Sequence, residues 1–357
     1  MWNTSLVITL IIDYFFTSTA VPSAVPSAVP SAVPTAVPSA VPTAVPSAVD
    51  LNNIKVKNFI DFTTKYNKYY ENDNEFNNAF LNFNKNREKI NYINNKTEHI
   101  TFNINQYGDI HPSIFNSRFK GFNANNKKTS SCSKFKYNKE ILDDSIDWRN
   151  FDVVTPVKDQ GYCGSCWSFS ATGSMEGAWA LYSGDLIELS EQQLIDCSIS
   201  YGDLACNGGL MDNAFEYAID NSMCSEEEEP YLEKISNCKV CENIAHFTSC
   251  VDVTSGNELH LKEAVFNTPV SVAIDANNDI FQFYSSGIIK QDDCSTNLDH
   301  GVLVIGYGEE NGVKYWLLKN SWGESWGENG YFRLERMDKE NNDGTCGITM
   351  QASYPVV

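Results

Sequence analysis

The stretch Gln160-Gly-Tyr-Cys-Gly-Ser-Cys-Trp-Ser-Phe169 carries two cysteines, Cys163 and Cys166, that are separated by two residues. This spacing has three chemical interpretations. The pair is a redox dithiol, or half of a zinc site completed by Cys238 and Cys241, or two sulfurs with unrelated roles. In the third interpretation Cys166 is a nucleophile, because it stands where a loop turns into a predicted helix and a helix N-terminus stabilises a thiolate.

A nucleophilic thiolate needs a nearby imidazole and a group that orients this imidazole. The chain has five histidines, and His300 is the one that directly precedes a very apolar segment, residues 301–308. Asn320 falls at the end of the next predicted strand, across a hairpin turn predicted at Asn311-Gly312. The redox interpretation lacks a thioredoxin-like βαβ setting. The zinc interpretation stays open at this point.

Composition and charge exclude some classes of function. The 357 residues are 42 % hydrophobic and 12 % aromatic, which predicts a chain that folds around a core. The net charge of −20 argues against nucleic acid as a partner. Residues 1–141 hold 15 basic and 10 acidic residues (net +5), and residues 142–357 hold 11 and 36 (net −25). The two halves either contact each other or present unrelated surfaces.

The N-terminal region predicts a secreted precursor. Ten of the 11 cysteines follow residue 141, which favours an oxidising compartment and disulfides. Residues 1–20 combine a short apolar run with Ser18-Thr19-Ala20 and are assigned to a cleaved signal peptide, since the run is shorter than the ~20 residues of a membrane span. Residues 21–49 repeat Val-Pro-Ser/Thr-Ala, which predicts an extended, solvated spacer.

The spacing of apolar residues predicts the order of the elements. Residues 75–94 are amphipathic at helical spacing, residues 100–104 alternate like a strand, and residues 123–140 are polar and predict an exposed linker. Further helices are predicted at 166–181 and after a capping box at Ser190–Gln193, and strands at 302–308, 313–321 and 330–335. Helices first and strands last indicate an α+β fold.

Four motifs in one order resemble the papain-like cysteine peptidases, in particular the cathepsin L group. They are Gln160-Gly-Tyr-Cys-Gly-Ser-Cys-Trp, Cys206-Asn-Gly-Gly209, Leu298-Asp-His-Gly and Asn320-Ser-Trp-Gly. The resemblance covers residues 51–357. It implies a two-lobed papain-like fold with a helical left lobe, a β-barrel-like right lobe and a mainly helical N-terminal propeptide. It also implies a cysteine endopeptidase that is made as a preproenzyme.

The resemblance implies a role for each residue that matches the motifs. Cys166 is expected to be the nucleophile, His300 its general acid and base, and Asn320 the group that orients the imidazole, shielded by Trp322. Gln160 is expected to donate a hydrogen bond to the oxyanion together with the backbone N–H of Cys166. Hydrolysis would then proceed through an acyl-enzyme. An inactive binding protein on the same scaffold would lack one of these groups, and all are present.

The resemblance also implies a substrate cleft. Its residues are Gly208, Gly209, Leu210, Met211, Ala273, Leu298, Asp299, Gly301, Trp322 and Gln351. The pocket for the second residue before the cut is mostly apolar, so Leu, Val or Phe is expected there, although Gln351 replaces a small residue at its floor. Only 31 residues separate Cys206 from Cys238, too few for the inserted loop of exopeptidase relatives.

The N-terminal part resembles the inhibitory propeptide of the same family. The predicted helix at residues 75–94 resembles the interspersed motif of cathepsin L-type propeptides, with Ala79 where Arg is usual. Asn103-x-Asn105-x-Tyr107-x-Asp109 resembles the second motif of these propeptides. The expected domains are a propeptide at 50–122, a linker at 123–141 and the peptidase at 142–357. Cleavage is expected near Ile141–Asp143. Activation is expected near pH 4–5, because exposed carboxyl groups titrate at about that pH.

The family's disulfide scheme implies Cys163–Cys206, Cys197–Cys238 and Cys294–Cys346. Cys132, Cys224, Cys241 and Cys250 have no partners in this scheme; a small extra loop closed by Cys241 and Cys250 is one option, and Cys224 is expected to be a buried thiol. Asn95-Lys-Thr97 is the expected glycosylation site. The expected partners are protein and peptide substrates, the chain's own propeptide and cystatin-like inhibitors. A monomer without cofactor or metal is expected, in a lysosome-like or vacuole-like acidic compartment or outside the cell.

Overall fold

In the computed structural model, helices dominate the first part of the chain and strands the last. The structure describes residues 54–123, 131–241, 244–276 and 279–357; the predicted signal peptide, the repeat and residues 124–130 of the predicted linker lie outside them. The helices are α1 (Ile54–Lys65), α2 (Asp73–Asn94), α3 (Pro112–Arg118), α4 (Cys166–Ser183), α5 (Glu191–Cys197), α6 (Met211–Asp220), α7 (Glu258–Asn267) and α8 (Asp279–Phe283). None of these described helices combines the length and apolar character that crossing a bilayer requires.

The strands form one sheet around a central hairpin. They are β1 (Ile100–Phe102), β2 (Ser133–Lys134), β3 (Ile146–Asp147), β4 (Ser249–Asp252), β5 (Val270–Ile274), β6 (Tyr284–Ile289), β7 (His300–Glu310), β8 (Val313–Lys319), β9 (Tyr331–Glu335) and β10 (Ala352–Val356). Their order is β1-β6-β9-β8-β7-β5-β10-β4-β2, with β3 beside β7. The predicted turn joins β7 to β8, where Asn311 and Gly312 have φ of +52° and +81°.

Two hydrophobic cores divide the peptidase part into two lobes. The helical lobe packs Trp167, Met175, Leu194 and Phe215 from α4, α5 and α6. The sheet lobe packs Val272, Val304, Trp316 and Phe332 from β5, β7, β8 and β9. The predicted α+β, two-lobed fold is confirmed. Helix α4 lies against β7, where the Ser170 hydroxyl donates to the Val302 carbonyl at 2.7 Å, so the N-terminus of α4 and the start of β7 come together.

The N-terminal helices have an aromatic core of their own. Phe59 of α1 contacts Phe76 and Phe83 of α2 at ring distances of 5.3 Å. Ala79, which occupies the position where the propeptide motif usually has Arg, is buried in this core. Helix α2 begins after Asn72, whose side chain accepts a hydrogen bond from the Glu75 N–H. The predicted long helix at 75–94 is therefore present and starts two residues earlier.

The N-terminal region is attached to the sheet lobe by strand addition. Strand β1 pairs antiparallel with β6, with Ile100 opposite Gly287. Gly287 has φ of +104°, and a Cβ there would lie 2.2 Å from the His99 carbonyl oxygen, so this register needs glycine. Asn105 of the second motif adds a bond from its amide to the Gln282 carbonyl at 2.7 Å. Main-chain pairing thus fixes where the segment after β1 enters the cleft.

Five disulfides cross-link the described residues. Three of them are the pairs that the resemblance implies: Cys163–Cys206, Cys197–Cys238 and Cys294–Cys346. The expectations for the remaining cysteines are wrong, because Cys224 pairs with Cys241 and Cys132 pairs with Cys250. The reason is tertiary: β2 lies beside β4 and brings Cys132 to Cys250, residues 118 positions apart in sequence.

These pairings decide between the three interpretations of the two-cysteine motif. Cys163 is bonded to Cys206 rather than to Cys166, which excludes a dithiol shared by the two. Cys238 and Cys241 are both in disulfides, so their thiolates cannot ligate zinc. Among the described residues, Cys166 is the one free cysteine.

Candidate active site

Cys166 is the first residue of α4 and is fully buried. The loop before it is held by the Cys163–Cys206 disulfide and by the Gly164 N–H, which donates to the Cys206 carbonyl at 3.1 Å. A Cβ on Gly164 would lie 2.6 Å from that carbonyl oxygen, so the loop approaches its neighbour too closely for any other residue. The Cys166 Sγ accepts a hydrogen bond from the Gly301 N–H at 3.2 Å.

His300 is the first residue of β7, and Asn320 directly follows the neighbouring strand β8. The imidazole Nε2 and the Asn320 Oδ1 are 2.8 Å apart. Trp322 stacks on the ring with centroids 4.4 Å apart and covers this hydrogen bond. The His300 Nδ1 is buried and has no hydrogen-bond partner among the described residues. An imidazole oriented through Nε2 with Nδ1 unpaired is suited to exchanging a proton at Nδ1.

Gln160 lies between the cysteine loop and the loop that follows β8. Its side-chain amide nitrogen donates to the Cys163 carbonyl at 2.8 Å, and its side-chain oxygen accepts from the Ser321 hydroxyl at 2.6 Å. The Gln160 backbone N–H also donates to the Ser321 carbonyl at 2.8 Å. These three bonds fix the direction of the amide, so that its N–H side faces the loop that carries Cys166.

The N-terminal segment, residues 119–123, runs through the cleft beside these groups. The Gly121 carbonyl accepts from the Gly209 N–H at 2.8 Å, and the Asn123 N–H donates to the Gly209 carbonyl at 3.2 Å, in a parallel bridge. A Cβ on Gly121 would lie 1.9 Å from the Gly164 carbonyl oxygen. The segment therefore passes so close to the cysteine loop that only glycine fits at position 121.

An ion pair also joins this segment to the site. The sequence did not predict this pair. Lys120 Nζ lies 2.9 Å from the Asp299 Oδ2, next to His300, and the lysine side chain is only 3 % exposed. Burial lowers the pKa of Lys120, and the charge of Asp299 opposes this shift. The signal available in the sequence was a lysine flanked by aromatic residues in Phe119-Lys-Gly-Phe122.

Burial favours the uncharged forms of the cysteine and the histidine. It raises the pKa of the Cys166 thiol to about 12, an effect that N–H groups of Gly301 and Gly121 reduce only in part. It lowers the pKa of His300 to about 3, where the bond to Asn320 acts in the opposite direction and the charge of Lys120 adds to the shift. Near neutral pH both shifts favour a neutral thiol and a neutral imidazole in the covered site.

The residues expected to line the substrate pocket meet in the core of the helical lobe. Leu210, Met211 and Ala273 are buried in one cluster, and Leu298 packs against it. Phe122 of the N-terminal segment belongs to the same cluster. The Gln351 amide donates to the Asp212 carboxylate at 2.8 Å, so its polar end is already engaged below this cluster.

The remaining cleft residues contact the N-terminal segment through the main chain. Gly208 has φ of +110°, and a Cβ there would lie 2.8 Å from the Gly121 carbonyl oxygen. The Asp299 carbonyl accepts from the N–H groups of Gly121 and Phe122 at 3.2 and 3.1 Å. The Trp322 indole N–H donates to the Phe119 carbonyl at 3.0 Å. The N-terminal segment thus contacts Gly208, Gly209, Asp299 and Trp322 directly. The predicted glycosylation site, Asn95, is exposed at the end of α2.

A free cysteine at a helix N-terminus, facing a strand that presents a His–Asn pair, defines a cysteine-dependent hydrolase. Residues 142–356 match the papain family cysteine proteases, and the chain belongs to this family. It is 42 % identical over 308 residues to Cysteine proteinase 3 of Dictyostelium discoideum, covering 84 % of this chain and 90 % of that protein. It is 40 % identical to Cathepsin L1 of Drosophila melanogaster, with 87 % of each chain covered.

Solved structures of precursors are similar over most of the chain. Procathepsin L 3 from the larval midgut of Tenebrio molitor has a TM-score of 0.77 at 39 % identity, with 85 % of this chain and 99 % of that chain covered. A recombinant stem bromelain precursor has a TM-score of 0.78 at 35 % identity, with the same two coverages. The protein is therefore a cathepsin L-like cysteine peptidase in its zymogen form, and its N-terminal segment is an intramolecular inhibitor.

Proposed function

We propose that the activated protein is an endopeptidase that cuts peptide bonds with Cys166 as nucleophile. The observation that carries this proposal is the free thiol at the N-terminus of α4 beside a His300–Asn320 pair whose Nδ1 is unpaired. When the cleft is uncovered, Nδ1 takes the thiol proton and the thiolate attacks the substrate carbonyl carbon. The backbone N–H of Cys166 and the Gln160 amide then stabilise the oxyanion.

His300 completes the first half of the reaction by transferring its proton to the departing amine. This leaves an acyl-enzyme, a thioester on Cys166. His300 then takes a proton from the attacking water, the C–S bond of the thioester breaks to release the acid product, and His300 returns its proton to the Cys166 sulfur. Asn320 and Trp322 hold the imidazole in one orientation throughout, through the bond to Nε2 and the stacking contact.

The substrate preference that we propose is an apolar residue in the second position before the cut. The support is Phe122, which already packs with Leu210, Met211 and Ala273 in the covered cleft. The Gln351 amide is bonded to Asp212 and is less available to a substrate side chain. Gly208 and Gly209 leave the space that an extended substrate backbone needs.

Propeptide removal at acidic pH is the proposed trigger of activity. The charge difference between residues 1–141 (+5) and 142–357 (−25) produces an attraction that weakens as carboxylates become protonated. Asp299 itself acts in the other direction. Burial raises its pKa, so the closed form binds this proton more readily than an exposed carboxyl would, and its titration alone opposes opening as the pH falls. The other carboxylates of the acidic half would have to outweigh it.

Lys120→Met should make the precursor activate at least about tenfold faster at near-neutral pH, where Asp299 is charged, because it leaves this half-buried carboxylate without its counter-charge. The measurement is the rate of precursor disappearance on a denaturing gel. Arg118→Met is the matched control, since it removes the same charge from an exposed position two residues away. Equal acceleration in both variants would mean that net charge matters and the buried pair does not.

The proposed function is tested by labelling the full-length precursor with an epoxysuccinyl peptide, which alkylates reactive thiols. At pH 7 we expect no labelling, because Cys166 is covered and protonated. After incubation at pH 4–5, mass spectrometry should find the label on Cys166 in a shortened chain, and the same chain should hydrolyse a peptide with Leu or Phe in the second position before the cut. A chain that stays unlabelled and full-length in acid would contradict the proposal.

We also place the active protein in the secretory pathway, either in an acidic compartment or outside the cell. Five disulfides support an oxidising environment. Protein and peptide substrates are its proposed partners, together with cystatin-like inhibitors, and it is proposed to act as a monomer.

A further inference from the structure

Residues 131–140 precede the expected cleavage site, yet they are fastened to the peptidase. Cys132 is joined covalently to Cys250, which is buried in the helical lobe. Directly after it, β2 runs parallel to β4, with Ser133 opposite Val251, and the Phe135 N–H donates to the Asp252 carbonyl at 2.9 Å. Strand β2 of this anchored segment, residues 131–140, thus forms one edge of the sheet.

Carboxylates of the peptidase hold both ends of the anchored segment. Glu216 of α6 accepts from the Ser131 N–H at 2.8 Å. Glu263 of α7 accepts from the N–H groups of Asn138 and Glu140 at 2.7 and 3.2 Å. Between these points Tyr137 stacks on His260 of α7, with ring centroids 4.4 Å apart. The segment is therefore held along its whole length by groups of residues 142–357.

The disulfide has a consequence for maturation. Hydrolysis near Ile141–Asp143 breaks the backbone, but the bond to Cys250 keeps everything that is still continuous with Cys132 on the enzyme. This includes Gly121 and Phe122 in the cleft. A tethered inhibitor stays at an effective concentration of about millimolar, so a cut at Ile141–Asp143 alone would leave the site covered.

We propose that the activated enzyme retains residues 131–140 as a disulfide-linked part of the peptidase, and that the inhibitory helices leave through a cut on the N-terminal side of Cys132. The inference rests on the proposed proteolytic activation. The step is hydrolysis of a peptide bond by water and leaves the Cys132–Cys250 bond unchanged, so no reductant is consumed. Retention also keeps β2 on β4, whose edge would otherwise be open to pairing with other chains.

The test is the mass of the acid-activated full-length protein, alkylated with iodoacetamide and measured with and without prior reduction. We expect the unreduced active enzyme to contain Cys132. If the chain is also cut near Ile141–Asp143, reduction should remove a peptide that contains Cys132; if it is not, the N-terminus should lie before Cys132. An active, unreduced enzyme that begins near residue 141 and lacks Cys132 would overturn the proposal.

The double variant Cys132→Ser/Cys250→Ser provides the matched control, since it removes the link without leaving an unpaired thiol. After a cut near Ile141–Asp143 this variant should lose residues 131–140 without reduction, whereas the wild type should not. Equal unreduced masses that begin near residue 141 for both proteins would contradict retention. If the variant does not fold, the wild-type masses still decide. The epoxysuccinyl label on Cys166 in the same samples reports separately on the proposed function.

Discussion

Cys166→Ser should lower kcat/KM by about 10⁶-fold, the scale on which removal of a nucleophile from a nucleophile–base pair acts, while the fold stays intact. The serine hydroxyl is much less acidic than the thiol, so the neutral His300 cannot generate the attacking anion. Cys166 is free, and the variant keeps all five disulfides. The measurements are hydrolysis of a fluorogenic peptide and thermal unfolding.

Cys163→Ser is the matched control because it changes the other cysteine of the same motif. It breaks the bond to Cys206 and should reduce the free energy of unfolding by about 2–4 kcal/mol. The molecules that remain folded should still react with the epoxysuccinyl peptide, since their nucleophile is present. Residual activity of Cys166→Ser above about one per cent of the wild type would mean that another group performs the attack.

Gln160→Ala should lower kcat by about 10²–10³-fold with a smaller change in KM, because it removes a donor that acts on the oxyanion of the transition state. The amide nitrogen faces the Cys163–Cys166 loop and its orientation is fixed by Ser321. Kinetics of the activated enzyme at pH 5–6 provide the measurement.

Ser321→Ala separates the donor from its support. This variant keeps the Gln160 amide but removes the hydroxyl bond at 2.6 Å that holds its oxygen. We expect a loss in kcat that is clearly smaller than that of Gln160→Ala. Gln160→Glu has nearly the same shape but replaces the donor with a carboxylate, and it should be at least as inactive as Gln160→Ala. Full activity of Gln160→Glu would show that this side chain does not donate to the oxyanion.

Much of the catalytic cleft could be predicted from local patterns. The apolar run after His300 and the Asn-Gly turn at 311–312 predicted the β7–β8 hairpin, which brings His300 and Asn320 to adjacent strands. A hairpin is a short-range structure whose register is set by its turn, so sequence patterns describe it well. The aromatic spacing of residues 75–94 predicted α2 for the same reason.

Contacts between distant segments were not predictable in this way. Nothing in the pattern of cysteines shows that Cys132 reaches Cys250, because the pairing depends on β2 lying beside β4. Cys241 and Cys250 are close in sequence, but they do not pair, because the fold brings Cys224 to Cys241 and Cys132 to Cys250. The Lys120–Asp299 pair likewise joins residues 179 positions apart, and only the path of the N-terminal segment brings them together.

The chemistry was indicated by the sequence through local motifs and their family resemblance: a cysteine after Gly-Ser at a helix start, a histidine before an apolar strand, and an asparagine at the end of the next. Their local order is enough because each is placed by its own element. How the precursor covers these residues could be seen only in the folded chain. In the folded precursor, burial raises the pKa of Cys166 and lowers that of His300, and both shifts favour the neutral forms. Burial and disulfide pairing are properties of how distant segments pack, and the folded chain sets them.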